Sequence, residues 1–177
     1  MLPPPSAVRA QWAEGRPDLD TSPMEVVALL KRIGALRDRA VEPIYEGAPL
    51  TAPEVDLLIP LRYTRTPVIA RHIAEHHRLS RAAVSKTLAK LESRGFISRA
   101  PSPSDRRVAL ITVTPEGKEA VDALFPRQLR IESALLARLG ADRPRVLEAL
   151  ALLAESLEAA LSEDLTEEDG RTRRVSS

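Results

Sequence analysis

Apolar residues recur at helical spacing over most of the chain, and only a few short runs have the composition of strands. The longest helical patterns cover Met24 to Tyr45, residues 115–139 and the stretch that begins at Asp142. Each of them starts at a proline or beside one, with a capping residue before it. Shorter helices are predicted over residues 8–14 and 53–59. The pattern therefore predicts a mainly α-helical protein.

Residues 66–115 contain the most informative pattern, which predicts two short helices joined by a tight turn. Thr66-Pro67 is expected to cap and open the first helix, and Arg78-Leu79 to form the turn. Ser80 is expected to cap the second helix, and Gly95 to end it in a left-handed conformation. One face of this second helix is apolar and consists of Val84, Leu88 and Leu91.

The opposite face of the second helix is small, polar and basic. Small side chains let a helix backbone approach a DNA major groove, while serine and lysine side chains reach phosphates and base edges. The residues predicted to contact DNA from this helix are Ser80, Arg81, Ala82, Ser85, Lys86 and Lys90.

A predicted two-stranded hairpin follows the second helix. Residues 96–99 and 108–113 are β-prone, and the polar, proline-containing loop 100–107 lies between them. Asp105, Arg106 and Arg107 lie near the tip of this loop and complete the predicted DNA-binding residues. A helix-turn-helix followed by a basic hairpin is a winged helix.

At these residues the sequence resembles the MarR family of bacterial transcription factors. The matching motifs are the Leu91 to Ile97 end of the second helix, the wing residues 105–107, and the segment Leu110 to Gly117. The resemblance covers roughly residues 10–161 and implies a winged helix-turn-helix with long N- and C-terminal dimerisation helices.

The resemblance also implies a domain organisation. Residues 1–162 would form one MarR-type domain, with dimerisation helices in residues 8–46 and 115–162 and the DNA-binding winged helix in residues 52–114. Residues 163–177 are acidic first and basic afterwards, a composition that predicts a disordered tail.

Charge is distributed unevenly along the chain. Residues 71–107 contain nine basic and three acidic side chains and carry a net charge of +6, so the remaining residues carry −5 of the overall +1. Basic charge concentrated on a winged helix is typical of a nucleic-acid-binding surface, although a solvated basic face without a ligand would give the same count.

Three residues that are not among the predicted DNA contacts match part of a known ligand pocket. Trp12, Asp56 and Arg99, together with the N-terminal connector, resemble the urate-responsive branch of the MarR family, which has an extra N-terminal helix. That branch uses one tryptophan, one aspartate and two arginines, and Thr87 occupies the position of the second arginine. A hydroxyl cannot hold a planar anion in two places as a guanidinium does, so the predicted pocket need not accept urate.

Other site chemistry receives little support from the sequence. His72, His76 and His77 fall on one predicted helix, but no cysteine or paired carboxylate completes a metal site, so packing or phosphate-facing roles are favoured. The chain has no cysteine, no nucleophile elbow and no phosphate-binding glycine loop, so neither an enzyme nor a cofactor is predicted.

The sequence therefore predicts a homodimeric regulator that binds a pseudo-palindromic double-stranded DNA operator. A repressor released by a small-molecule effector is expected, and a ligand-independent activator or architectural protein on the same fold is the alternative. No run of residues has the length of a membrane span and no signal peptide is evident, so a cytoplasmic, nucleoid-associated protein is expected. The operator, the regulated genes and the effector are left open.

Overall fold

A computed structural model describes residues 3–103, 105–106 and 108–175, with side chains described as far as Leu161. The chain divides into two compact units, Met1–Glu132 and Ser133–Ser177. In chain order the elements are α1 (Pro5–Gly15), α2 (Pro23–Tyr45), α3 (Ala52–Leu58), β1 (Val68–Ile69), α4 (Ala70–His77), α5 (Arg81–Ser93), β2 (Ile97–Pro101), β3 (Ala109–Val113), α6 (Pro115–Ala137) and α7 (Arg143–Val175), with 3₁₀ turns at Ile59–Leu61 and Gly140–Asp142.

The predicted fold class, mainly helical with a small wing, is confirmed. Helix α2 begins directly after Ser22 with a proline in its first turn, and α6 likewise begins at a proline. Pro43 and Pro126 lie inside these two helices.

The prediction for Thr66 and Pro67 is wrong, because this segment leads into a strand. Val68 and Ile69 form β1, which pairs antiparallel with β3 opposite Ile111 and Leu110. The sheet therefore has three strands in the order β1-β3-β2, whereas the sequence predicted two. Two consecutive β-branched residues beside an otherwise open strand edge favour pairing over a first helical turn, and helix α4 starts only after them.

The hydrophobic core of the first unit lies under the helix-turn-helix. It combines the end of α2, helix α3, the inner faces of α4 and α5, the sheet and the first half of α6. The largest fully buried apolar side chains are Val41, Leu50, Val55, Leu58, Val84, Leu88 and Leu91.

The start of α6 packs very closely against the end of α5. The Thr114 amide donates to the carbonyl oxygen of Phe96 at 3.1 Å, and the Thr114 hydroxyl donates to the carbonyl of Gly95 at 2.7 Å. A Cβ atom on Gly117 would overlap the Phe96 carbonyl oxygen and lie 2.9 Å from Val113 Cγ1. Only glycine leaves room for this approach, which explains the glycine in the first turn of α6.

A buried carboxylate joins α3 to the end of α5. Glu54 accepts the backbone N–H of Thr51 at 2.9 Å and a hydrogen bond from Arg94 Nη2 at 2.6 Å. Arg94 also donates to the Pro49 carbonyl at 3.1 Å and lies over the ring of Phe96. Burial raises the pKa of the Glu54 carboxyl, but the bonds from Arg94 and Thr51 outweigh burial and hold the pKa below its ordinary value of 4.5.

The second unit contains the end of α6 and the long helix α7, which continues to Val175. The tail predicted to be disordered, residues 163–177, overlaps the end of this helix. The side chains of that tail lie outside the described residues, so the prediction stays a prediction. No helix in the described part of the chain is long and apolar enough to cross a membrane.

Replacing Gly117 with alanine should destabilise the protein by about 1–3 kcal/mol, because the new methyl group must displace a backbone carbonyl. Gly34→Ala is the matched control: Gly34 lies inside α2 with nothing near its Cβ position, so alanine there should stabilise by about 0.5–1 kcal/mol. Urea unfolding of both variants measures the difference. Equal stability of the two variants would contradict the close approach.

The Glu54 carboxylate should make stability depend on acid pH. Because its pKa is lowered in the folded state, its contribution is complete above the ordinary value of 4.5 and is lost as the pH falls through the lower folded-state pKa. Glu54→Gln should therefore be less stable than wild type at pH 7, and the difference should shrink as the solution is acidified. Thermal unfolding between pH 7 and pH 3 tests this, and a pH-independent difference would refute it.

Candidate nucleic-acid interface

Helix α5 is positioned as the sequence predicts. Ser80 is its N-cap, and the Ser80 hydroxyl oxygen accepts the backbone N–H of Ala83 at 3.2 Å. The apolar face lies in the core, so the opposite face is fixed toward solvent. The exposed residues of that face are Arg81, Ala82, Ser85, Lys86, Ala89 and Lys90.

The end of α5 is locked by a Schellman motif. Gly95 has a φ of +78°, its N–H donates to the Glu92 carbonyl, and the Phe96 N–H donates to the Leu91 carbonyl. This geometry turns the chain directly into β2, so the hairpin starts at a defined angle to the helix. The predicted helix end at Gly95 is confirmed.

The wing loop joins β2 and β3 as predicted. Asp105 and Arg106 are exposed near its tip, and the Asp105 carbonyl accepts the N–H of Val108 at 2.9 Å. Arg107, also predicted to contact DNA, lies outside the described residues, so its role stays a prediction. The strands pair in register from Ile97 opposite Val113 to Pro101 opposite Ala109.

Part of the basic charge counted along the sequence is already paired. Arg94 binds Glu54, Arg71 lies 3.5 Å from Glu75, and Arg99 Nε lies 3.0 Å from a Glu92 carboxylate oxygen. Among the described residues predicted to contact DNA, the exposed cations are those of Arg81, Lys86, Lys90 and Arg106. The net charge of +6 for residues 71–107 already includes Glu75 and Glu92. Of these three pairs, only Arg94–Glu54 lowers that charge further, because Glu54 lies outside the range.

The four predicted effector residues have separate surroundings. Trp12 on α1 is half exposed and borders a small surface hollow with Arg16. The Thr87 hydroxyl donates to the carbonyl of Ala83. Arg99 faces Glu92 without hydrogen-bond alignment, which leaves its Nε and Nη2 buried and without hydrogen-bond partners. The hydrogen bonds and ion pairs of these side chains do not join them into one cluster.

Asp56 belongs instead to a polar network that sequence reasoning missed. Gln128 of α6, which is 2% exposed, donates to Asp56 Oδ1 at 3.2 Å and to Glu132 Oε1 at 3.0 Å. Arg37 of α2 donates to Glu132 at 2.9 Å and to Asp56 at 3.3 Å. The Tyr45 hydroxyl donates to Gln128 Oε1. A polar residue in the apolar stripe of α6, four residues after Leu124, was the available sequence signal.

The network favours particular protonation states. Burial and the nearby Asp56 charge raise the pKa of the Tyr45 phenol to about 12, so Tyr45 acts as a donor at neutral pH. The pKa of Arg37 is raised despite its partial burial, because Glu132 and Asp56 stabilise the cation. The Asp56 network therefore connects α2, α3 and α6 through the ion pairs of Arg37 and through hydrogen bonds from the neutral side chains of Gln128 and Tyr45.

The three histidines border one small cleft beside the 3₁₀ turn and β1, with a volume of about 290 Å³. The His76 and His77 rings meet edge to face at 4.9 Å, and burial followed by the His76 charge lowers the pKa of His77. In the described part of the chain, no group of three or more potential metal ligands is arranged around one point.

The winged-helix segment matches a known family model. The model described as "MarR family" matches residues 50–109. The HTH-type transcriptional regulator PecS of Dickeya dadantii is 30% identical to this chain over 147 residues, which cover 82% of this chain and 89% of PecS.

Solved structures share the fold. Sco3205, a MarR family transcriptional regulator from Streptomyces coelicolor solved in complex with DNA, aligns with a TM-score of 0.68 and 21% identity over 78% of this chain and 89% of its own. The S. aureus MepR–DNA complex aligns with a TM-score of 0.66 and 21% identity over 75% of this chain and 96% of its own. With the PecS similarity and the family-model match, these observations establish that the chain belongs to the MarR family of winged-helix transcriptional regulators.

Proposed function

We propose that this protein is a homodimeric, sequence-specific repressor whose affinity for its operator is controlled by a small molecule. The observation that carries the proposal is the exposed, small and basic face of α5, fixed by the Ser80 cap and followed by a wing with Arg106 exposed at its tip. The solved MepR and Sco3205 complexes, in which proteins of the same fold are bound to DNA, support the DNA-binding part. Such a regulator would act in the cytoplasm, on chromosomal DNA.

A second copy of the chain is proposed to cover large exposed apolar surfaces. In α2 and in α7, exposed apolar side chains recur at helical spacing, so each helix presents an apolar face whose burial against a second subunit is the favoured explanation. The exposed apolar residues on the proposed dimerisation helices include Val26, Leu30, Ile33, Leu147, Leu150, Leu157 and Leu161. A twofold dimer places its two α5 helices about one DNA turn, ~10 bp, apart. The proposed domain organisation, with dimerisation helices in residues 8–46 and 115–162, follows from this arrangement.

Effector control is the finer part of the proposal. PecS similarity covers 82% of this chain. The resemblance to the urate-responsive branch rests on Trp12 and the N-terminal connector, together with Asp56 and Arg99. Thr87 stands where that branch has its second arginine, and its hydroxyl is used by the Ala83 carbonyl. The proposed effector is therefore a molecule other than urate.

Two substitutions on the proposed interface should affect DNA binding differently. Lys86→Ala should cost about 1–3 kcal/mol on the operator and reduce discrimination against mutated sites, because Lys86 is positioned to reach base edges. Arg106→Ala should weaken binding to all sequences and lower the salt slope by about one unit, because it removes a phosphate-neutralising charge. Fluorescence anisotropy across a salt series measures both effects.

Lys31→Ala on the exposed surface of α2 is the control, because it removes the same charge away from α5. If Lys31→Ala weakens operator binding as much as Lys86→Ala, the interface has been misplaced.

A monomer at micromolar concentration in analytical ultracentrifugation would contradict the dimer.

Wild-type Trp12 fluorescence should not change when urate is added. Thr87→Arg should create weak urate-dependent quenching, because it restores a guanidinium that can hold a planar anion at two points. Thr87→Lys is the control, since it adds the same charge without the two-point geometry. Strong quenching of the wild type would refute the argument from Thr87.

A further inference from the structure

A wide groove separates the second half of α2 from α3. Its volume is about 930 Å³, and both of its walls belong to the first unit. We call it the α2–α3 groove; its lining residues are Ala35, Arg37, Asp38, Arg39, Val41, Glu42, Tyr45, Glu46, Ala52, Pro53 and Asp56. Small apolar side chains, proline and one aromatic ring alternate there with charged groups, so an organic molecule with an apolar body can be accommodated.

The charges on the groove are mostly negative. Four carboxylates line it, those of Asp38, Glu42, Glu46 and Asp56, against the two guanidinium groups of Arg37 and Arg39. Arg37 is already shared among Asp38 at 3.3 Å, Asp56 at 3.3 Å and Glu132 at 2.9 Å. The field left for a ligand therefore attracts cations and repels anions.

Asp56 is the most enclosed of the four carboxylates in the groove, because Asp38, Glu42 and Glu46 are exposed to solvent. Its side chain is 41% exposed, and its Oδ1 accepts from both Gln128 and Arg37. Its Oδ2 accepts only one long bond, from Arg37 Nη2 at 3.4 Å, among the bonds observed at this side chain. A carboxylate oxygen can accept two good hydrogen bonds, so Oδ2 has unused capacity toward a charged donor.

We propose that the α2–α3 groove binds a small organic cation with an apolar body, whose charged nitrogen donates to Asp56 Oδ2 in competition with Arg37. The lining and charge of the groove are sufficient to support the binding site, whereas its role as the effector site rests on the proposed function. The selected charge is the opposite of that of the urate anion.

By displacing Arg37 from Asp56, such a ligand can affect the DNA-binding surface through a chain of side-chain contacts. Arg37 keeps its 2.9 Å bond to Glu132, so the ligand loosens α3 from α2 without freeing the arginine. Asp56 lies on the same short helix as Glu54, which Arg94 connects to the end of α5. A ligand that binds better to the loosened state shifts the orientation of α5 through this continuous set of contacts.

Three probes with one ring system and different charges test the site: 2-naphthylmethylammonium, 2-naphthalenemethanol and 2-naphthoate. Isothermal titration calorimetry on the full chain should show the ammonium binding at least about tenfold more tightly than the alcohol, as expected for one charge-assisted hydrogen bond. The carboxylate should bind most weakly. If 2-naphthoate bound as tightly as 2-naphthylmethylammonium, or more tightly, the proposal would be overturned.

Matched variants test which groove residues cause the preference for the ammonium probe. Asp56→Asn should remove about tenfold of the ammonium affinity and leave alcohol binding unchanged, and Glu42→Gln should weaken ammonium binding while preserving the Asp56 network. Arg37→Gln should strengthen ammonium binding, because it removes the competitor for Asp56. Glu119→Gln, on the exposed surface of α6 outside the groove, should change nothing. An unchanged ammonium preference in both Asp56→Asn and Glu42→Gln would refute the site.

A separate measurement distinguishes the site from the proposed function. Operator binding is measured by anisotropy with and without 2-naphthylmethylammonium in wild type and Asp56→Asn. Lower operator affinity in the wild type alone would support the effector role. Ammonium binding without any effect on DNA would leave the site standing and refute its role as the effector site, and absence of DNA binding altogether would refute the proposed repressor.

Discussion

The buried carboxylate of Glu54 is the interaction on which the DNA-binding half of the molecule depends. One of its oxygens holds the first turn of α3, and the other holds Arg94 at the end of α5. A buried carboxylate is costly unless donors surround it, so Thr51 and Arg94 both have to be in place before this part of the core is stable. Because Arg94 also bonds the Pro49 carbonyl, the end of the recognition helix is fixed to the segment that precedes α3.

Much of this half could be predicted from the sequence because its signals are local. Ser80 before a helical pattern and Gly95 after it determine where α5 begins and ends, and Val84, Leu88 and Leu91 determine which face is exposed. These features depend on residues within a few positions of each other, so periodicity and capping rules are sufficient.

The features that could not be predicted depend on partners distant in sequence. Val68 and Ile69 form a strand because the edge of β3, about forty residues later in the sequence, is available for pairing. The local Thr-Pro helix signal carries no information about this distant partner. Asp56 was identified through a family resemblance, but its partners, Arg37 and Gln128, lie nineteen and seventy-two residues away. Arg94 was counted as part of a basic surface, although its charge is engaged by a carboxylate forty residues earlier.

The pairing of β1 with β3 has a mechanical consequence. Helix α4 follows Ile69 without an intervening residue, so the chain passes directly from the wing sheet into the helix-turn-helix. Tilting the hairpin would pull on the start of α4, and shifting α4 would strain the sheet, which leaves no hinge between the two. We infer that the wing and the paired helices move together as one rigid body. In the proposed dimer, the distance between the two rigid bodies is then the quantity that an effector has to change.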